Sequence, residues 1–327
     1  MYTRRRVLLS TAAAAVLTWA PPRTKAQTRL PFKFFDAHAH LRSEDRIRYP
    51  RVATPPAAGA PPGPPNGGAQ GEAPEVDRVL HWMDENGVAG GAAVQHRATY
   101  GYDNRYILDS TDLHPDRLVP VTVLDAEDPA TPDKVRGLAA NHGLAGVRLT
   151  GMRAADGSFP WLDSNPALQT WAVINELGLV MDQMTTPPGN SPPAIAALLK
   201  LAPRFPNARL VLDHIAWPDA RGAPDFGLDG PHQELASHSN IYYKFSTINI
   251  DLLAAAQVSA TEMLRHVVAI YGADHVLWGS DIGNSAGTYA EMVRKVVSAA
   301  SKLTAAEQQQ VLHDTGKAVY VRGGVMA

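Results

Sequence analysis

Residues 34–41 read FFDAHAHL, which places Asp36, His38 and His40 at every second position of an otherwise apolar run. Successive side chains of a strand point to opposite faces, so His38 and His40 share one face, about 6–7 Å apart along the chain. One metal ion can bridge such a pair when further ligands converge on it from other segments. The run therefore reads as a buried strand carrying ligands, and the rest of the chain decides what surrounds it.

Downstream, short apolar runs alternate with helical patterns. Eight strands are expected, at residues 33–37, 88–95, 118–124, 144–149, 178–184, 209–214, 241–246 and 275–280. Several are apolar on both faces, as parallel strands covered by helices are. In EVDRVLHWMDENG (75–87), Val76, Val79, Leu80 and Met83 recur at helical spacing before Gly87. SATEMLRHVVAIYG (259–272) opens on a capping box, Ser259 with Glu262, and carries Leu264, Val267, Val268 and Tyr271 on one face. Eight strand–helix repeats point to an α/β fold of the (β/α)8 TIM-barrel type. The competing doubly wound sheet lacks its usual sign, since no glycine-rich phosphate loop follows any strand.

Two segments stand outside this repeat. Residues 1–26 combine Arg4, Arg5 and Arg6 with a short apolar stretch from Val7 to Ala20, which resembles a twin-arginine export signal. Its removal would leave a single barrel domain over 27–327, without a membrane span and with a periplasmic destination. Residues 53–74 hold seven prolines and five glycines in 22 residues and fit neither helix nor strand. Following the first strand, they would form either a wall over the catalytic face or a solvated excursion.

A net charge of −2 gives no long-range attraction to nucleic acid or an anionic membrane. The absence of cysteine excludes disulfides, thiolate nucleophiles and Cys-based metal sites, and leaves any metal to histidine and carboxylate.

In a barrel, chemistry gathers at the C-terminal ends of the strands. The polar residues expected there are His38 and His40, Gln95, Asp125, Arg148, Gln183, His214, Lys244 and Asp281. Three histidines and a carboxylate buried in one cavity would be costly without a ligand or a function. The other histidines, His96 among them, fall in helices, loops or strand starts and are assigned no chemistry.

FDAHAHL, GVRLTG, LVLDHIAWP, YYKFST and LWGSD resemble, in order and spacing, the amidohydrolase-2 branch of the metal-dependent hydrolases. Residues 94–125 resemble the lactonase subgroup that includes 2-pyrone-4,6-dicarboxylate lactonase and 4-sulfomuconolactonase. The resemblance implies that His38, His40, His214 and Asp281 form the metal or active-site quartet. It also implies that Arg148 and Lys244 face the substrate and that Asn284 is a polar site residue. SDIGNS after the eighth strand and DTGKAVY near the C-terminus depart from the family pattern. Strand four ends in Arg148 and strand five in Gln183, so no ligand bridges two metals, and at most one divalent ion, zinc by preference, or none, is expected.

These parts suit hydrolysis of a lactone or related cyclic ester. Asp281 would act as general base, and His38, His40 and His214 would polarise the carbonyl directly or through the ion. Arg148 and Lys244 would meet a carboxylate or sulfonate of a small anionic substrate, with Gln183, Asn284, Tyr49 and Tyr100 as lesser contacts. A decarboxylase or hydratase on the same scaffold is the alternative, although YYKFSTINID lacks the histidine that the family's decarboxylases place in that region. A non-catalytic periplasmic binding protein is the remaining class.

Overall fold

The computed structural model describes residues 32–52, 74–152, 154–156, 158–184 and 192–322. The segment expected to direct export and residues 53–73 of the Pro/Gly-rich stretch lie outside them.

All eight expected strands form, with ends displaced by a residue or two: β1 (Phe34–Ala39), β2 (Val88–Val94), β3 (Leu118–Asp125), β4 (Gly146–Thr150), β5 (Val180–Gln183), β6 (Arg209–Leu212), β7 (Ile241–Ser246) and β8 (Val276–Gly279). Each pairs in parallel with the next in sequence order, and helices fill the connections. The seam between β1 and β8 closes just beyond the end of β8, where Asp281 N–H donates to the His38 carbonyl (2.8 Å) and His40 N–H to that of Ile282 (3.0 Å). The fold is a (β/α)8 barrel. Among the described residues, no helix is long and apolar enough to cross a membrane.

The helix expected from residue 75 spans Val76–Glu85 and buries Val79, Leu80 and Met83. The helix Ala260–Tyr271 starts as expected, with Ser259 Oγ accepting the Glu262 N–H. The second half of that capping box does not form. Glu262 instead turns its carboxylate to Arg265 and Lys302, because two cations are better partners than one backbone amide.

The floor of the barrel is apolar: Phe35, Ala37, Ala92, Val94, Val121, Val180, Val211 and Leu277 pack around Tyr320. Tyr320 ends the helix Thr315–Tyr320, which closes the barrel from below. In β1 the register with β2 slips between Asp36 and Ala39. Strict alternation therefore fails there, as at any bulge. Asp36 turns to the outer side, accepting Tyr289 Oη–H (2.9 Å) and Ser280 N–H (2.8 Å), while His38 and His40 enter the barrel. Gly279 of β8 makes room for them: a Cβ there would lie 2.5 Å from His38 Cβ.

Candidate active site

Buried polar side chains above the apolar floor fall into two groups. The lower is an ion cluster. Lys244 Nζ is fully buried and contacts Asp182 Oδ2 (2.9 Å), Asp213 Oδ1 (2.8 Å) and His38 Nδ1 (3.2 Å). Arg148 Nη2 donates to Asp213 Oδ2 (2.6 Å), and Tyr320 Oη–H to Asp182 Oδ2 (2.9 Å). Burial alone would raise the Asp213 carboxyl, but Arg148 and Lys244 outweigh it and hold the group well below the usual carboxylate range.

The upper group faces the mouth. His38 Nε2, His40 Nε2 and Asp281 Oδ1 form a triangle with edges of 3.2, 3.5 and 3.4 Å. Ligand atoms about 2.0–2.2 Å from a tetrahedral ion stand about 3.2–3.6 Å from one another, so the triangle has the dimensions of one face of such a site. The donor set agrees. His40 Nδ1 lies 2.8 Å from the Val94 carbonyl, which can only accept, so the ring proton sits on Nδ1 and the Nε2 lone pair faces the triangle. Asp281 Oδ1 is buried without a hydrogen-bond partner among the described residues, whereas Oδ2 accepts from Ser285 Oγ (2.8 Å) and Asn284 Nδ2 (3.1 Å). Burial would raise the Asp281 carboxyl, but His40, His38 and His214 together lower it. A divalent ion fits these three residues.

His214 stands beside the triangle, its ring centroid 5.5 Å from that of His38, and is not part of the set whose ligand atoms lie within 4.8 Å of one another. Three of the four expected metal ligands thus converge. His214 Nδ1 is 2.6 Å from Ser246 Oγ, whose own hydrogen goes to Asn249 Oδ1, so Nδ1 is the donor and Nε2 an acceptor. From His214 to Trp217 the backbone holds φ between 52° and 56° at four successive non-glycine residues. Such a left-handed turn costs about 1–2 kcal/mol per residue. It is tied down by Asn249 Nδ2, which donates to the His214 carbonyl (2.9 Å), and strain of this kind collects at functional sites.

The expected substrate contacts divide. Lys244 Nζ donates to two buried carboxylates below the mouth, Asp182 Oδ2 and Asp213 Oδ1, which commits it to the ion cluster rather than to a substrate anion; His38 Nδ1, 3.2 Å from Asp213 Oδ1, donates there too and keeps its Nε2 lone pair for the triangle. Among the described residues, the buried Nε–H of Arg148 and both amide atoms of the buried Gln183 have no hydrogen-bond partner. Asn284 holds Asp281. Tyr49 donates to Asp109 Oδ2 (2.6 Å), and Tyr100 Oη accepts the Ser43 N–H (2.8 Å), so both hydroxyls brace the segment after β1. Gln95 likewise ties Gly101 and Asp103, and Asp125 accepts from the Glu127 N–H.

Residues not foreseen complete the picture. Asp182 and Asp213 precede Gln183 and His214, and a lone acid inside each apolar run, VMDQ and LVLDH, was a readable sign of an inward polar layer. Ser246, Asn249 and Tyr320 gave no local signal. His96, just past β2, sets its ring edge-on to His40 at 4.8 Å.

The amidohydrolase family profile matches residues 35–322. The chain belongs to the amidohydrolase family. Its relatives include the L-fucono-1,5-lactonase of Burkholderia ambifaria, 27% identical over 203 residues that cover 61% of this chain and 66% of that enzyme, slightly under two thirds of its length. Among solved structures, a protein named for 2-pyrone-4,6-dicarboxylic acid hydrolysis from Pseudomonas putida is 23% identical (TM-score 0.61, covering 89% of this amidohydrolase and 98% of that chain). A dihydroxybenzoic acid decarboxylase from Polaromonas, with bound manganese and an inhibitor, is 14% identical (TM-score 0.59, covering 88% and 97%). At these identities the two structures establish the shared fold. The family match over most of the chain makes this protein an enzyme of the amidohydrolase type.

Proposed function

We propose that this amidohydrolase opens a small lactone carrying no more than one acidic group. The observation that supports the reading best is the His38–His40–Asp281 triangle, with an unpartnered carboxylate oxygen at a barrel mouth. The lactonase relative points the same way. A divalent ion held by these three residues, zinc by its N/O preference, would polarise the lactone carbonyl and acidify water.

The chain's own groups then divide the work. Asp281 Oδ1 takes a proton from the attacking water, while His214 Nε2 accepts its other hydrogen and aims its lone pair at the carbonyl carbon. A C–O bond forms to water. The bond to the ring oxygen breaks, and that oxygen leaves with the proton held on Asp281, giving a hydroxy acid. Arg148 Nε–H and the Gln183 amide contact the remaining substrate oxygens. Among the described residues of this layer Arg148 keeps a spare cationic donor while Lys244 is spent on Asp182 and Asp213, which is why one carboxylate at most is proposed.

The test is a panel of neutral, monocarboxylated and dicarboxylated lactones, assayed for acid release with metal quantified in the same sample. Turnover of the first two classes with no more than one ion per chain is expected. Release of CO2 from dihydroxybenzoates without lactone hydrolysis would replace this reading with the decarboxylase one. Periplasmic export through residues 4–26 belongs to the same proposal, and recovery of a mature chain beginning near Gln27 from the periplasm tests it.

A further inference from the structure

We propose that His96 is a substrate-facing residue of this site, donating a hydrogen bond from Nε2 to an oxygen of the bound lactone. The inference rests on the lactonase reading and adds a residue to it.

Three observations carry it. His96 leaves β2 at the mouth and lays its ring edge-on against His40, 4.8 Å between centroids, so it borders the His40 corner of the triangle. His38, His40 and His214 are almost entirely buried, whereas His96 is only half-buried and so is reachable from the entrance. Its polar atoms are also asymmetric. Nδ1 lies 2.7 Å from Thr99 Oγ1. Thr99 is buried, and its hydroxyl has no other partner among the described residues, so its hydrogen goes to Nδ1 and the ring proton stays on Nε2. Nε2 itself makes no hydrogen bond to any described residue. A fixed ring with one N–H held ready beside a catalytic triangle suits an oxygen-bearing ligand, since the donor is oriented before the ligand arrives.

A purely structural role would have His96 only support the His40 ring. His96→Phe separates the two, because it keeps an aromatic ring against His40 and removes the N–H; His96→Gln keeps an amide N–H near the Nε2 position. The readouts are kcat/KM on the best lactone of the panel, affinity for the matching lactam by calorimetry, thermal midpoint and metal content. We expect His96→Phe to keep the midpoint and metal content while losing about ten-fold in kcat/KM and in lactam affinity, with part of both restored in His96→Gln. Unchanged kcat/KM and lactam affinity in His96→Phe would overturn the assignment, as would losses that follow a lowered midpoint or metal content. If the wild-type enzyme hydrolyses no lactone, the functional reading fails and this inference with it. Lactone turnover indifferent to the Phe variant would sink the inference alone.

Discussion

The barrel holds two buried polar layers about one side chain apart, and they differ in whether their hydrogen bonds close on themselves. In the lower layer Lys244, Arg148 Nη2, Asp182, Asp213 and Tyr320 hold one another in contacts of 2.6–2.9 Å, and of the cationic groups Arg148 Nε alone has no partner among the described residues. In the upper layer the Nε2 atoms of His38 and His40 and an Asp281 oxygen that accepts no hydrogen bond among the described residues converge on one point. Both layers contain charges that burial would otherwise expel. A closed set stabilises and orients, while an open one has capacity left for a ligand. His38 belongs to both, its Nδ1 facing the lower layer and its Nε2 the upper.

The comparison breaks first, and hardest, at Lys244. Lys244→Met should strand two buried aspartates with one cation between them and lower unfolding stability by about 3–5 kcal/mol in urea titrations. A stable variant with only a raised KM would return Lys244 to the substrate. Asp281→Asn attacks the open layer: folding should be nearly intact while kcat falls by roughly 10²-fold or more, since the amide cannot take a proton. Near-normal turnover would remove Asp281 from the mechanism.

Smaller effects sharpen the boundary. Tyr320→Phe deletes one donor to Asp182 and should cost about 1 kcal/mol of stability with kcat unchanged, because the lost bond lies below the triangle. A large kcat effect would show that the floor controls the site. Both Asp213 and Asp281 are held below the ordinary aspartate range, the first mainly against burial by Arg148 and Lys244, the second by the histidines. The stability they contribute is fully present above about pH 4 and is lost as pH falls through their lower folded values. In chelated protein, Asp281→Asn should therefore lose less stability than wild type between neutrality and acid pH. An identical acid slope in the two would show that Asp281 contributes nothing to this dependence.

How much of this was legible varies by residue. His38, His40 and Asp281 were readable because an isolated polar residue at the end of an apolar run has few structural reasons to be there, and each indeed reached the mouth. Lys244 looked equivalent and was not. Its face was legible from alternation, but its height was not, because strands in a barrel are staggered and equal distances from a strand end fall at different levels. Asn284, expected only as a polar site residue, donates to the Asp281 carboxylate itself. His96 had no signal at all, since a histidine one residue past a strand is equally at home on a solvated loop.

By itself the chain's order of apolar runs, helical faces and turn residues determined the barrel, since these are local periodicities that each segment satisfies alone. It also determined which residue types could hold a metal, because there is no cysteine to compete. Only the tertiary structure decided which charges cancel, which histidine nitrogens keep a lone pair, and which carboxylate oxygen is left open. Those outcomes depend on contacts of about 3 Å between strands far apart in sequence, and hydrogen-bond geometry at that scale is set by how the barrel closes rather than by any one strand.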